Sequence, residues 1–201
     1  MIITIAQHKG GVGKTTTAVH VASFLNLRAP TLLIDHDPNR NALGWIGRGG
    51  QNMALRAVPA TQGIKLANQF EHIVNDTKAR EDGSDLVDIA EGCDLLIIPI
   101  EPGTMEYETT LEFVETLRKR GVDPTRYRVL ITKVLPHQAR DGDMLYEALT
   151  ANNIPVFQHR IRYLKAFRKA VESGVPVYAV KYPLAEEAWS DYQRVCEEIL
   201  Q

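Results

Sequence analysis

The sequence predicts a three-layer α/β domain with a mostly parallel central sheet, on three observations. Short apolar, β-branched runs recur along the chain. Several are apolar at consecutive positions, as strands buried on both faces of a parallel sheet are. Amphipathic helical stretches separate them, the alternation that βαβ crossovers require. In chain order, strands are expected over residues 2–6, 31–35, 71–76, 94–100 and 128–132. The first helix is expected over 15–27, carrying Val19, Val21, Ala22, Phe24 and Leu25. A second covers 104–120, with Leu111, Phe113, Val114 and Leu117 at helical spacing. Further helices are expected over 141–151, over 162–173 with a stop near Gly174, and over 185–200. The glycine-bearing stretch 48–51 reads as a flexible loop. No long linker, repeat or low-complexity tract interrupts this order, so residues 1–201 are expected to form one domain.

Composition agrees. A chain of 201 residues, 44% of them hydrophobic, has the length of one ordinary domain and enough apolar surface for a buried core, which excludes disorder and a mini-protein. Lys plus Arg number 23 against 25 Asp plus Glu, a net charge of -2, and as an average this reads as a small soluble enzyme with no basic excess for nucleic acid. Cys93 and Cys196 are far apart and in no Cys-x-x-Cys spacing, which argues against a disulfide framework, a structural zinc or an iron–sulfur ligand set and fits a reducing cytoplasm. Cys93, before an apolar strand, reads as a small core residue. Met1 leads directly into that first strand without a basic leader, and no uncharged apolar run approaches the roughly 18 residues of a membrane helix. A cytoplasmic location without a membrane partner is the expectation.

Between the first strand and the first helix stands Gln7-His8-Lys9-Gly10-Gly11-Val12-Gly13-Lys14-Thr15-Thr16. Its glycines let the backbone curl so that successive N–H groups point inward, an anion nest that the helix N-terminus reinforces. Lys14 is placed to reach the β- and γ-phosphates of a nucleotide, and the Thr15 hydroxyl to ligate Mg²⁺. The nucleotide is expected on Gly10, Gly11, Val12, Gly13, Lys14, Thr15 and Thr16. His8 stands where the ordinary phosphate-loop pattern has a glycine, and Lys9 adds a second lysine at the start of the loop.

These residues resemble the ParA/MinD family of P-loop ATPases with a deviant Walker A motif, and the resemblance extends over nearly the whole chain. Leu32-Leu33-Ile34-Asp35-His36-Asp37-Pro38-Asn39 is similar to the family's second acidic motif, and His72-Ile73-Val74-Asn75-Asp76-Thr77 to its Walker B strand end; residues 95–102 are similar to the strand and proline-bearing loop that follow. The closest likeness is to small ParA-type partition or positioning ATPases without an N-terminal DNA-binding domain, because the chain starts at its first strand. Two departures stand out: Asn39 replaces the usual glutamine, and Lys78, Ala79, Arg80 and Glu81 replace apolar residues or proline after the Walker B aspartate.

The resemblance implies ATP and Mg²⁺ as ligands and a sandwich homodimer in the ATP state, in which Lys9 crosses to the other subunit's phosphates much as an arginine finger does. Asp35 and Asp37, two apart at a strand end, point to one side, toward the mouth where open α/β sheets bind ligands. By resemblance Asp37 positions or activates the attacking water, Asp35 supports the Mg²⁺ and Lys9 network from behind, and Asp76 holds Mg²⁺ through water. The catalytic set is then Lys9, Lys14, Asp37 and Asp35. Family members place residues near the adenine where Thr132 and Lys133 stand, with Tyr182-Pro183 at the border of the same pocket, so Pro183 is a base-contact candidate.

Charge resolved by position alters the average. Residues 118–181 hold 13 basic and 5 acidic residues, a balance of +8 that leaves -10 for the remainder. The densest cluster contains Arg160, Arg162, Lys165, Arg168 and Lys169; helical from 162, it places Lys165, Arg168 and Lys169 on one face. Such a patch suits sequence-independent, salt-sensitive DNA binding, and in the resembling family this region contributes to non-specific DNA binding by the ATP dimer. The expected function is an ATPase that holds non-specific DNA, associates with the nucleoid when ATP-bound, and hydrolyses ATP when stimulated by an adaptor of the ParB role, moving a plasmid, a chromosome or a protein organelle such as the carboxysome. The alternatives are an amidoligase or dethiobiotin-type synthetase of the same superfamily, for which no organic-acid constellation is visible, and a MinD-like membrane ATPase. The tail, with Glu197 and Glu198, lacks the basic amphipathic helix of the latter.

Overall fold

The computed structural model describes residues 1–50, 53–78 and 83–201. Strands β1 (Ile2–Ile5), β2 (Thr31–Asp35), β3 (Arg56–Pro59), β4 (His72–Asp76), β5 (Leu95–Ile100) and β6 (Tyr127–Ile131) form one sheet in the order β3-β2-β4-β1-β5-β6. Every pairing in it is parallel. The chain first builds outward from β1 to the β3 edge, returns to β4, then crosses to β5 and β6, so β1 lies at the point where the winding reverses, where ligands bind at the strand carboxyl ends. Helices α1 (Lys14–Asn26), α2 (Asn41–Gly49), α3 (Ala60–Leu66), α4 (Gly83–Glu91), α5 (Thr104–Lys119), α6 (Ala139–Ala151), α7 (Lys165–Ser173) and α8 (Ala185–Ile199) cover the sheet.

Strand residues alternate between two cores, which is why the runs are apolar at consecutive positions. Ile3, Ile5, Leu33, Val74, Ile97 and Leu130 face α1, Trp45 of α2, Ala166 and Ala170 of α7, and Tyr192 and Val195 of α8. Leu96, Ile98, Ile100, Val129 and Ile131 face the other way, onto Phe113, Val114 and Leu117 of α5 and Leu145 and Leu149 of α6. Cys93 is buried in this second core. A smaller cluster of Leu32, Ile34 and Val58 packs against α3.

Three sequence expectations change. The stretch 48–51 is not a loop throughout: Arg48 and Gly49 end α2, while Gln51 lies outside the described residues, as do Ala79, Arg80 and Glu81 of the tract after Asp76. Helix α7 starts at Lys165 rather than at 162, because Arg162 bridges Val134 in parallel and its backbone N–H donates to the Asp191 carboxylate at 3.1 Å. Strand β3 and helices α2, α3 and α4 were not anticipated. β3 is a four-residue edge strand, and α2 carries Gly44, Gly47 and Gly49, a composition that disfavours helix.

Candidate functional site

The loop between β1 and α1 curls as its glycines allow. Gly11 (φ 84°) and Gly13 (φ 96°) occupy the left-handed region, and Gly13 accepts the Thr17 N–H at 2.8 Å to start α1. No side chain caps α1 and no acidic residue sits in its first turn, so the positive end of the helix faces the loop open. Lys14 folds back over the loop, its Nζ donating to the carbonyl oxygens of Gln7 at 3.2 Å and Lys9 at 3.0 Å. Two buried polar groups hold the loop from behind. Gln7 Nε2 donates to Thr110 Oγ1 at 3.1 Å, and the Thr132 hydroxyl lies 2.8 Å from the Val12 carbonyl.

The carboxylates arrive by strand register. Asp76 is paired with Ile5 on one side and with Asp35 on the other, so both acids end their strands level with β1 and on the face covered by α1. Their surroundings separate their roles. Asp35 is 3% exposed and its oxygens accept the N–H groups of Asp37 at 2.9 Å and Leu43 at 3.0 Å, so it ties the strand end to the first turn of α2. Asp37 accepts the Asn39 N–H at 2.8 Å and lines the cavity above the loop. Asp76 is fully buried with the Thr15 hydroxyl beside it, and no hydrogen bond of normal geometry reaches either of its oxygens among the described residues. Burial pushes its pKa up to about 7, with Asp35 and Asp37 adding to the rise and Thr15 and Lys14 opposing it. A buried carboxylate without a well-formed hydrogen bond is costly unless a cation or proton meets it, so Asp76 beside Thr15 fits a divalent cation. No group of three or more His, Cys, Asp or Glu gathers as a ready metal cluster among the described residues. A cation there would depend on Thr15, Asp76 and nucleotide phosphates.

Lys9 is held within the subunit by an ion pair with Glu106 in the first turn of α5. A cavity of about 570 Å³ opens over Gly10, Gly11, Gly13, Lys14, Thr15 and Thr16 and is walled by Asp37, Arg40, Asn41 and Arg48. A second, more apolar cavity of about 260 Å³ adjoins it at Gly13 and Thr16 and is lined by Thr132, Lys133, Tyr163, Leu164 and Phe167. Pro183 lines neither cavity and is exposed just before α8. Of the basic cluster, Lys165, Arg168 and Lys169 are exposed on α7, the latter two near Glu172. Arg160 pairs with Asp143 at 2.7 Å and Arg162 grips Asp191 with Nε and Nη2, so these two cations serve internal contacts that a count of charges does not reveal. Sequence reasoning did not single out Gln7, Arg40, Glu106 or Tyr163. Only Gln7, a polar residue directly after a buried strand, carried a signal.

An anion cradle of this form at the reversal of an all-parallel sheet defines the class of P-loop NTPases. Residues 3–177 match the model of the CobQ/CobB/MinD/ParA nucleotide binding domain, and the chain belongs to that family. Maintenance of carboxysome distribution protein A from Gloeobacter kilaueensis is 32% identical over 205 residues, covering 98% of this chain and 93% of that protein. The chromosome-partitioning ATPase Soj of Thermus thermophilus is 50% identical over 46 residues, 22% of this chain and 18% of its own. Among solved structures, the ATP complex of McdA from Cyanothece superposes with a TM-score of 0.73 at 19% identity, covering 98% of this chain and 95% of that one. MinD from Aquifex aeolicus gives 0.76 at 19% identity, covering 99% and 96%. No helix among the described residues is long and apolar enough to cross a membrane.

Proposed function

We propose that the chain is a ParA-type positioning ATPase that binds ATP with Mg²⁺, forms a sandwich dimer, holds non-specific DNA in that state, and hydrolyses ATP when an adaptor stimulates it. The observation that carries this reading is the loop from Lys9 to Thr15 with two lysines, set beside Asp35, Asp37 and Asp76 at the carboxyl ends of the neighbouring strands. Phosphoryl transfer needs little covalent chemistry from the protein, only positioning and charge stabilisation. The loop amides and Lys14 would take the phosphate oxygens, the cavity at residues 161–168 the base, and Asp37 would orient the attacking water. Thr15 and Asp76 would hold Mg²⁺, which when bound neutralises charge on the β- and γ-phosphates. Lys9 must leave Glu106 to reach a second subunit, which ties activity to dimerisation. The relative from Gloeobacter, named for carboxysome distribution and alike over nearly its whole length, supports a protein organelle as cargo and weighs against the synthetase reading.

The test is binding to a duplex of arbitrary sequence without nucleotide, with ADP and with ATP, across a salt series. ATP-dependent binding that weakens steeply with salt is expected. Binding that ignores the nucleotide, or none with ATP, would remove the DNA-riding mechanism.

A further inference from the structure

Arg40 precedes α2 in a left-handed backbone conformation (φ 53°, ψ 44°), one that residues with a Cβ rarely adopt and that glycine takes without strain. Its backbone is fully engaged: its N–H donates to the Asp37 carbonyl at 2.8 Å and its own carbonyl accepts the Gly44 N–H at 2.8 Å. The side chain is exposed and makes no ion pair or hydrogen bond with any described residue. Lys133, the other left-handed cation beside the nucleotide cavities, differs in being paired with Glu101 at 3.5 Å. Arg48 also differs, since its Nε donates to the Val171 carbonyl at 3.0 Å. Arg40 nonetheless lines the 570 Å³ cavity together with Gly10, Gly11, Lys14, Thr15 and Asp37. A strained position whose side chain has no hydrogen bond or ion pair among the described residues, yet opens on an anion cradle, is the pattern of strain kept for a ligand.

We propose that Arg40 is a nucleotide contact that reads the terminal phosphate and so distinguishes a nucleoside triphosphate from a diphosphate. The assignment rests on the ATPase reading above. Lys14 and the loop amides lie at the floor of the cavity, whereas Arg40 stands three residues after Asp37, on the wall facing the loop where the reacting end of the nucleotide belongs. A guanidinium presents a planar fork of N–H donors that matches two oxygens of one phosphate, and such charge-assisted pairs are about twice as strong as neutral ones. Arg40 therefore binds substrate more tightly than product, and loss of the γ-phosphate releases this wall of the cavity.

The experiment compares fluorescent ATP and ADP titrations of the full chain with Arg40→Gly, Arg40→Lys and Lys14→Ala, alongside thermal melts and sedimentation. Arg40→Gly is expected to weaken ATP about tenfold or more while changing ADP less than about twofold, and to raise the melting temperature of the nucleotide-free protein because the left-handed strain is gone. Arg40→Lys should recover part of the ATP affinity, and Lys14→Ala should weaken both nucleotides. Equal losses for ATP and ADP in Arg40→Gly, or no loss for either, would overturn the proposal. So would unchanged ATP binding with a loss confined to dimerisation, which would place Arg40 at a subunit contact. A wild-type chain that binds neither nucleotide would overturn the ATPase reading itself, whereas wild-type binding that Arg40→Gly leaves intact overturns this assignment alone.

Discussion

Asp76 shows how burial of one residue couples folding to pH. Its pKa rises from 3.8 to about 7 through burial, so between those values the folded chain holds a proton that the unfolded chain has released. Stability of the nucleotide-free protein must then fall as pH rises through this window. His20 works with the opposite sign. Fully buried, with Nε2 accepting the Val177 N–H at 3.1 Å and its ring stacked on Tyr192 at 4.7 Å, it has its pKa pushed down to about 4 by desolvation. The unfolded chain therefore binds that proton first, and stability contributed by neutral His20 is lost as pH falls from 6.5 toward 4. Asp76→Asn should remove the first slope and leave the second. Urea melts without nucleotide at pH 4 and pH 8 are expected to show the variant stabilised at pH 8, by the order of a few kcal/mol, and little changed at pH 4. Equal shifts at both values would show that the buried charge is not what Asp76 costs the empty protein.

At the scale of elements, α2 and α7 are joined more closely than their sequences suggest. A methyl group on Gly49 would lie 2.1 Å from the Gly174 carbonyl oxygen, and one on Gly174 would lie 2.1 Å from the Gly49 nitrogen. Two backbones approach here because neither residue has a Cβ, and Gly174 (φ 71°) also ends α7 in the left-handed conformation. Trp45 Nε1 donates to the Val175 carbonyl at 3.2 Å and secures the same junction. Gly174→Ala should therefore destabilise by about 2–4 kcal/mol, combining left-handed strain with overpacking. Chemical denaturation measures it, and a loss below about 1 kcal/mol would mean that the helices separate at little cost. This junction explains why α2 was unreadable locally. Its glycines have low helix propensity, and its order comes from Trp45, buried and bonded to Val175 far along the chain, and from Asp35 at the end of the preceding strand. On the other side of the junction, reversing Lys165, Arg168 and Lys169 to Glu should weaken duplex binding at least tenfold with ATP affinity within about twofold. Undiminished DNA affinity in that variant would move the interface off α7.

For the whole molecule, dimerisation is the event on which the proposed cycle turns. Lys9 is clasped by Glu106 in the isolated chain, and hydrolysis requires a positioned water. If Asp37 orients that water, Asp37→Ala should bind ATP and accumulate as a dimer. Light scattering with ATP reads this directly, and a variant that stays monomeric at saturating ATP would count against the sandwich. The net charge of -2 is equally a property of the whole, and it conceals a +8 segment against a -10 remainder. The structure reduces the free part of that segment, because Arg160 and Arg162 are bound to Asp143 and Asp191, while Lys165, Arg168 and Lys169 stay exposed on α7 beside the single acid Glu172.

What the amino-acid sequence determined by itself was the local part: the loop from Lys9 to Thr15, the strand–helix alternation, and the acids at strand ends. These follow from residue type and spacing within a few positions, since glycine permits the curl and apolar periodicity sets the layers. The tertiary structure decided which of those groups are satisfied. Register set Asp76 beside Asp35 in a fully buried position, and Asp191 claimed Arg162 across 29 residues and delayed α7 to Lys165. Burial and pairing are properties of neighbours far apart in the chain, so the electrostatic state of a residue such as Asp76 exists only once the sheet has assembled around it.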